Sequence, residues 1–130
     1  MGLTADRTRC LAALDRLLAG SDGVAAAMLA LRDGRSYVER VRGGVDSGRF
    51  AAMASSLAAL GRSVLGELRL GDVDHLLIEG TEGKIVLCSV PDTGRMLLLA
   101  VVAAQDARLG LILGQARLCA QAVAASTRMS

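Results

Sequence analysis

The sequence predicts one α+β domain with the element order αββαβββα. Apolar residues recur at helical spacing in three segments: near the start, in the middle and at the end of the chain. Between them lie shorter apolar or alternating runs, bounded by Gly, Asp and Pro turn signals. A chain of 130 residues is long enough to bury one core and short for two ordinary domains, so 1–130 reads as a single unit.

Thr4 is placed to cap a first helix from Ala5 to about Leu18, with Leu11, Leu14, Leu17 and Leu18 on one side. "GSDG" at Gly20–Gly23 stops it, and "VAAAMLALR" is an apolar run short enough for a strand. Asp33–Gly34 signals a tight turn into the charged, alternating "RSYVERVR". After "GGVDSG", where Asp46 or Ser47 can cap it, a long proline-free helix runs from Gly48 to Leu68. "DVDHLLIEG", "KIVLCSV" and "RMLLLAVVA" are three more strand candidates, separated by turns at Glu82–Gly83 and Pro91–Gly94. A last helix from Asp106 to about Ser126 aligns Leu109, Ile112, Leu113, Ala116, Cys119, Ala120 and Val123.

The strands differ in the burial they imply. Val24–Leu31 and Met96–Ala103 are apolar on both faces and read as central. Arg35–Arg42 carries the charges that guard a free edge. Asp74–Glu79 reads as the other edge, yet His75, Leu76, Leu77 and Ile78 leave it almost unguarded. Such an edge is an aggregation hazard unless it has a partner, and a second copy across a twofold axis is the simplest one.

The long middle helix is unusual in the same way. Phe50, Met53, Leu57, Leu60, Val64 and Leu68 form a broad face, extended by Ala51, Ala54, Ala58, Gly61 and Leu65, that is expected to pack on the sheet. The opposite face carries Ala52, Ser55, Ser56, Ala59, Arg62, Ser63 and Gly66, all small or weakly polar apart from Arg62. Small side chains let another helix approach closely. Ala52, Ser56, Ala59 and Ser63, with Asp74–Glu79, are therefore the expected dimer interface. Ser55, Arg62 and Gly66 are the expected contacts to a further partner.

Composition excludes several function classes. Hydrophobic residues make up 52% of the chain but aromatics only 2%, and Trp is absent, so the core is aliphatic and no aromatic platform exists for base stacking. A net charge of +2 is too small for a nucleic-acid footprint. Arg7, Arg9, Asp15 and Arg16 interrupt any apolar signal core, and no uncharged run reaches the roughly 20 residues of a membrane span. Cys10, Cys88 and Cys119 are far apart with no CxxC, which predicts reduced, buried thiols and a cytoplasmic location.

No motif points to catalysis, a metal or a cofactor. His75 is the only histidine and is expected to be solvated or at an interface. "GTEGK" at Gly80–Lys84 lacks the spacing of a phosphate loop and joins strand to strand, so it reads as a hairpin. The GxxxG at Gly110–Gly114 is expected to give close helix–sheet contact, and Leu111 and Leu118 to pack against the first helix.

"DGRSYVERV", the Ala-rich middle helix, "LLIEGTEGKIVL" and above all "AVVAAQDARLGLILGQAR" together resemble the roadblock family, the dynein light chain roadblock type and its bacterial relatives. The resemblance covers about Ala12 to Ala125. It implies a roadblock/profilin-like fold: a five-stranded antiparallel sheet in the order 2-1-5-4-3, with the middle helix on one face and the terminal helices on the other. It also implies a homodimer through the third strand and middle helix, giving one continuous sheet. Family members are typically non-catalytic platforms that bind and regulate small Ras-like GTPases or serve as adaptors in motor or polarity complexes. The alternative reading is a small-ligand sensor of related profilin-like architecture, which requires an apolar pocket with a few polar groups.

Overall fold

Two aspartates set where the first two helices begin. Asp6 accepts from the Arg9 amide at 3.1 Å and starts α1 (Arg7–Gly20). Asp46 accepts from the Arg49 amide at 3.1 Å and starts α2 (Ser47–Glu67). Each supplies an acceptor to an amide that the first helical turn leaves unpaired. Thr4, the expected first cap, lies instead in β1 (Leu3–Ala5). In α3 (Leu109–Ala125) no side chain caps the first turn.

The computed structural model describes residues 3–129. Its large sheet contains β2 (Val24–Leu31), β3 (Ser36–Val41), β4 (His75–Glu79), β5 (Gly83–Ser89) and β6 (Leu97–Ala104). All neighbours are antiparallel, in the order β3-β2-β6-β5-β4. Counted within this sheet alone, that is the expected order. The addition is a small second sheet, in which β1 pairs with β7 (Thr127–Met129) and draws the two ends of the chain together.

Strand burial follows position. β2 and β6 are central and almost wholly buried, while β3 and β4 are the edges. Asp33 stabilises the β2–β3 turn by accepting from the Arg35 amide at 3.1 Å and its Nε at 2.8 Å, which holds the Asp33 carboxyl below its ordinary pKa. "GTEGK" closes the β4–β5 hairpin, with the Gly80 amide donating to the Gly83 carbonyl at 2.7 Å. Lys84 is buried there, and its ammonium donates to the Ala107 carbonyl at 2.8 Å, tying β5 to the approach to α3.

The sheet has two cores. On one face α1 and α3 bury Leu14, Leu17, Ile112 and Val123 against Leu29, Val86, Leu99 and Val101. On the other, α2 packs alone over Met28, Leu87 and Leu98. Here the expected sheet-facing side of α2 holds on one flank and fails on the other. The residues of α2 that are buried are Phe50, Ala51, Ala54 and Ala58, with Leu57 half-buried. Met53, Leu60, Val64 and Leu68, expected against the sheet, are 49–62% exposed. Volume explains the rotation. Met28, Leu87 and Leu98 supply bulky side chains on this face, so the helix seats close where it presents the methyl groups of Ala51, Ala54 and Ala58, with Phe50 filling the space at its start.

Two expectations for α3 also fail. A β-carbon at Gly110 or Gly114 would meet nothing within 4 Å, so neither glycine makes a close helix–sheet contact. Leu111 and Leu118 are exposed; Leu118 borders a shallow cleft beside α1 and is not buried against it.

Candidate functional site: an apolar face beside a free strand edge

The large apolar side chains of α2 do not stand alone. Leu60 and Val64 border an open groove of about 410 Å³ whose other wall is Val73, His75, Leu76 and Ile78. The helix stripe and the edge strand therefore form one surface. Ile78 is exposed, and His75, Leu76 and Leu77 are half-buried. β4 has a single neighbour, β5, against which Leu77 pairs with Val86. Its other side offers backbone donors and acceptors to an incoming strand. Gly61 lets the Val73 and Leu76 side chains approach α2; a β-carbon there would lie 3.4 Å from Val73 Cγ2. Leu70, just beyond α2, adds to the exposed apolar area.

A charged cluster closes one end of β4. Asp74 accepts from Arg117 of α3 at 2.9 Å and lies 3.1 Å from His75 Nδ1. The Arg117 guanidinium is 3.4 Å from the same ring nitrogen. The cluster pins the start of β4 to α3. Glu79, at the other end, is exposed and 3.9 Å from the Lys84 ammonium.

The sequence-derived site residues fall into three groups. Asp74–Glu79 and α2 do share one surface. Ala52, Ser56, Ala59 and Ser63 are exposed on α2, beside the Met53–Leu60–Val64 stripe rather than opposite it. Ser55 and Arg62 lie on the far flank, facing the β2–β3 turn. The Ser55 hydroxyl donates to the Leu31 carbonyl at 3.0 Å, so it is tied to the sheet and not presented to solvent as expected. Gly66, one turn beyond Arg62, is exposed in the last turn of α2 on the same flank. Sequence reasoning missed Met53, Leu60, Val64 and Leu68 as surface residues because it assigned them to the core. The row Ala51, Ala54 and Ala58, read only as the side of the face packed on the sheet, is its centre.

The three cysteines are free and buried. Burial raises the Cys88 thiol to about 11 and the Cys119 thiol to about 12. Among the described residues no group of three His, Cys, Asp or Glu side chains is placed to hold a metal ion. No helix among them is long and apolar enough to cross a membrane.

Comparison with known proteins matches this architecture. The profile of the Roadblock/LC7 domain family matches residues 11–103. The uncharacterized protein MJ0714 of Methanocaldococcus jannaschii is 30% identical over 92 residues, covering 71% of this chain and 75% of that one. Among solved structures, Myxococcus xanthus MglB superposes with a TM-score of 0.83 at 16% identity, covering 92% of this chain and 88% of the other. MglB in a tetrameric arrangement gives 0.83 at 18% identity over the same shares. A Roadblock/LC7 domain from Streptomyces avermitilis gives 0.76 at 20%, covering 92% and 95%. The chain belongs to the Roadblock/LC7 domain family, whose members are regulatory or adaptor proteins.

Proposed function

We propose that two copies of this chain pair through β4 and the exposed stripe of α2. The pair then serves as a non-catalytic platform for a small Ras-like GTPase, or for a subunit of a motor or polarity complex. The observation that carries the pairing is the contiguity of Leu60 and Val64 with Leu76 and Ile78 on one surface. Isolated exposed leucines need no explanation, but a continuous apolar face beside an unpaired strand edge does. Strand-to-strand pairing satisfies the edge, and burial of the stripe supplies the driving force. In this reading Ala52, Ser56, Ala59 and Ser63 lie beside the twofold axis, where their small side chains let the two α2 helices close up.

The regulatory step is positioning. GTP hydrolysis speeds up when the attacking water is oriented and the γ-phosphate charge is stabilised. A platform without catalytic groups does this by holding the GTPase's own switch loops in their active arrangement. Arg62 projects from the sheet-facing flank of a helix and not from an extended loop, which does not suit an inserted arginine.

Light scattering at micromolar concentration should give twice the chain mass of 13.4 kDa. Leu60→Glu, at an exposed position, should leave circular dichroism unchanged and give the monomer mass. A wild-type monomer, or a Leu60→Glu dimer, refutes the pairing. Co-purification with a small GTPase from the native cell tests the platform role separately.

A further inference from the structure

At the end of the sheet away from the β4–β5 hairpin, three arginines from three elements border one notch. Arg32 comes from the β2–β3 turn, Arg62 from α2 and Arg95 from the turn before β6. The notch has a volume of about 20 Å³, room for a water-sized group. Asp72 is the one carboxylate that answers them. It accepts from Arg95 Nε at 2.8 Å, and the charge of Arg62 reaches it more weakly. Among the described residues neither Arg32 nor Arg62 makes an ion pair. Three guanidinium groups against one carboxylate leave a surplus of two positive charges. Arg95 is also held with φ at +66°, a left-handed conformation that a long side chain adopts at a cost.

The notch opens beside a second, larger cavity. The two share Leu31, Arg32 and Met96. The larger one holds about 420 Å³, within the range of small-molecule sites, and its walls include Ala5, Leu31, Tyr37 and Met96. Its two remaining charges, Asp33 and Arg35, neutralise one another at 2.8 Å. A surplus of two charges thus sits at the mouth of an otherwise neutral, largely apolar cavity.

We propose that this joint site binds a small phosphomonoester: one phosphoryl oxygen in the notch and the rest of the group at its mouth beside Arg32, Arg62 and Arg95, the apolar or aromatic body against Leu31, Tyr37 and Met96. A phosphomonoester carries close to two negative charges at neutral pH, which match the surplus, whereas a carboxylate matches half of it. Guanidinium forks approaching from three elements suit the several oxygens of a tetrahedral group better than the two of a planar one. The hydroxyls of Ser55 and Ser89 at the notch already donate to the Leu31 and Val73 carbonyls, so the arginines provide the donors. The site lies off the α2 stripe, and ligand binding there does not depend on the pairing proposed above.

The test is a titration of the full chain, followed by amide and arginine Nε–H chemical shifts at constant ionic strength. The probes are phenyl phosphate, inorganic phosphate and phenol. Phenyl phosphate should saturate, bind about tenfold or more tightly than either fragment, and shift the signals of Arg32, Arg62 and Met96. Arg62→Gln and Arg32→Gln should each weaken it by about tenfold or more, while Arg49→Gln on the first turn of α2 should not. Non-saturating shifts spread over all arginines, or unchanged affinity in both notch variants, overturn the site. Phenyl phosphate binding no tighter than inorganic phosphate overturns the role of the larger cavity, and with it a small-molecule ligand.

Discussion

Burial decides the chemistry of the cysteines. Cys88 and Cys119 resist ionisation because a thiolate would lose its water in the aliphatic core. Both groups titrate near 9.0 when unfolded and near about 11 and about 12 when folded. Above pH 9 the unfolded chain therefore sheds protons that the folded chain retains, and stability falls as pH rises towards 12. Urea midpoints measured from pH 7.5 to 10.5 should decline across the upper part of that range, and Cys119→Ala should flatten the decline. An identical slope in wild type and variant would show that the thiol is not desolvated. The apolar neighbours of each cysteine made this burial legible in the sequence. Lys84 was not legible. A lysine after a hairpin glycine reads as solvated, and only the fold reveals that the Ala107 carbonyl faces its ammonium. Ser55 was misread for the same reason, since its acceptor, Leu31 O, lies 24 residues away in the chain.

Element identity was legible almost throughout, because periodicity and turn residues are local properties. Val24–Leu31 has the bounds that its apolar run indicated, and the Asp33–Gly34 and Gly80–Lys84 turns both close hairpins. Orientation about a helix axis was only partly legible. Hydropathy ranks leucine above alanine, and so it centred the buried face of α2 too near the Met53–Leu60–Val64 stripe; packing on a crowded sheet ranks the smaller side chain first. Two alanines of α2 test the flank that the sheet does bury. Ala54 is fully buried under the helix, so Ala54→Leu should cost about 1–3 kcal/mol by overpacking. Ala59 is exposed, and Ala59→Leu should change stability by no more than about 0.5 kcal/mol. Denaturant melts of the two variants below the concentration at which chains pair would check this, and equal losses would mean that Ala54 does not face the sheet. The α3 glycines teach a related lesson. Their GxxxG spacing suggested close contact, yet the face they mark is open.

At the scale of the whole molecule, the sheet order followed from a resemblance spread over nearly the full chain, whereas the β1–β7 ribbon had no signal. Three-residue strands carry too little pattern to register, and Thr4 looked like a helix cap. The ribbon is nevertheless joined to the main body. The Tyr37 hydroxyl donates to the Ala5 carbonyl at 2.7 Å, and the Asp6 amide donates to the Ser126 carbonyl at 3.2 Å. Tyr37→Phe deletes the first of these bonds and should cost about 0.5–1.5 kcal/mol. The loss should appear first as faster amide exchange in β1 and the start of α1, with β2 and β6 unaffected. Uniform acceleration across the sheet would mean that the ribbon does not open separately from the core. The ribbon also bears on how the chain is threaded. Leu3 and Met129 are paired neighbours, so the described backbone is nearly a closed loop. A short peptide bridging that gap, with a new opening cut at Thr81 in the exposed β4–β5 turn, would preserve every element and change only the order in which they are synthesised. Such a circular permutant would put both of its free ends beside the proposed pairing edge, where a fused bulky domain would block self-association, whereas a domain fused beyond the β1–β7 ribbon would not lie on that edge.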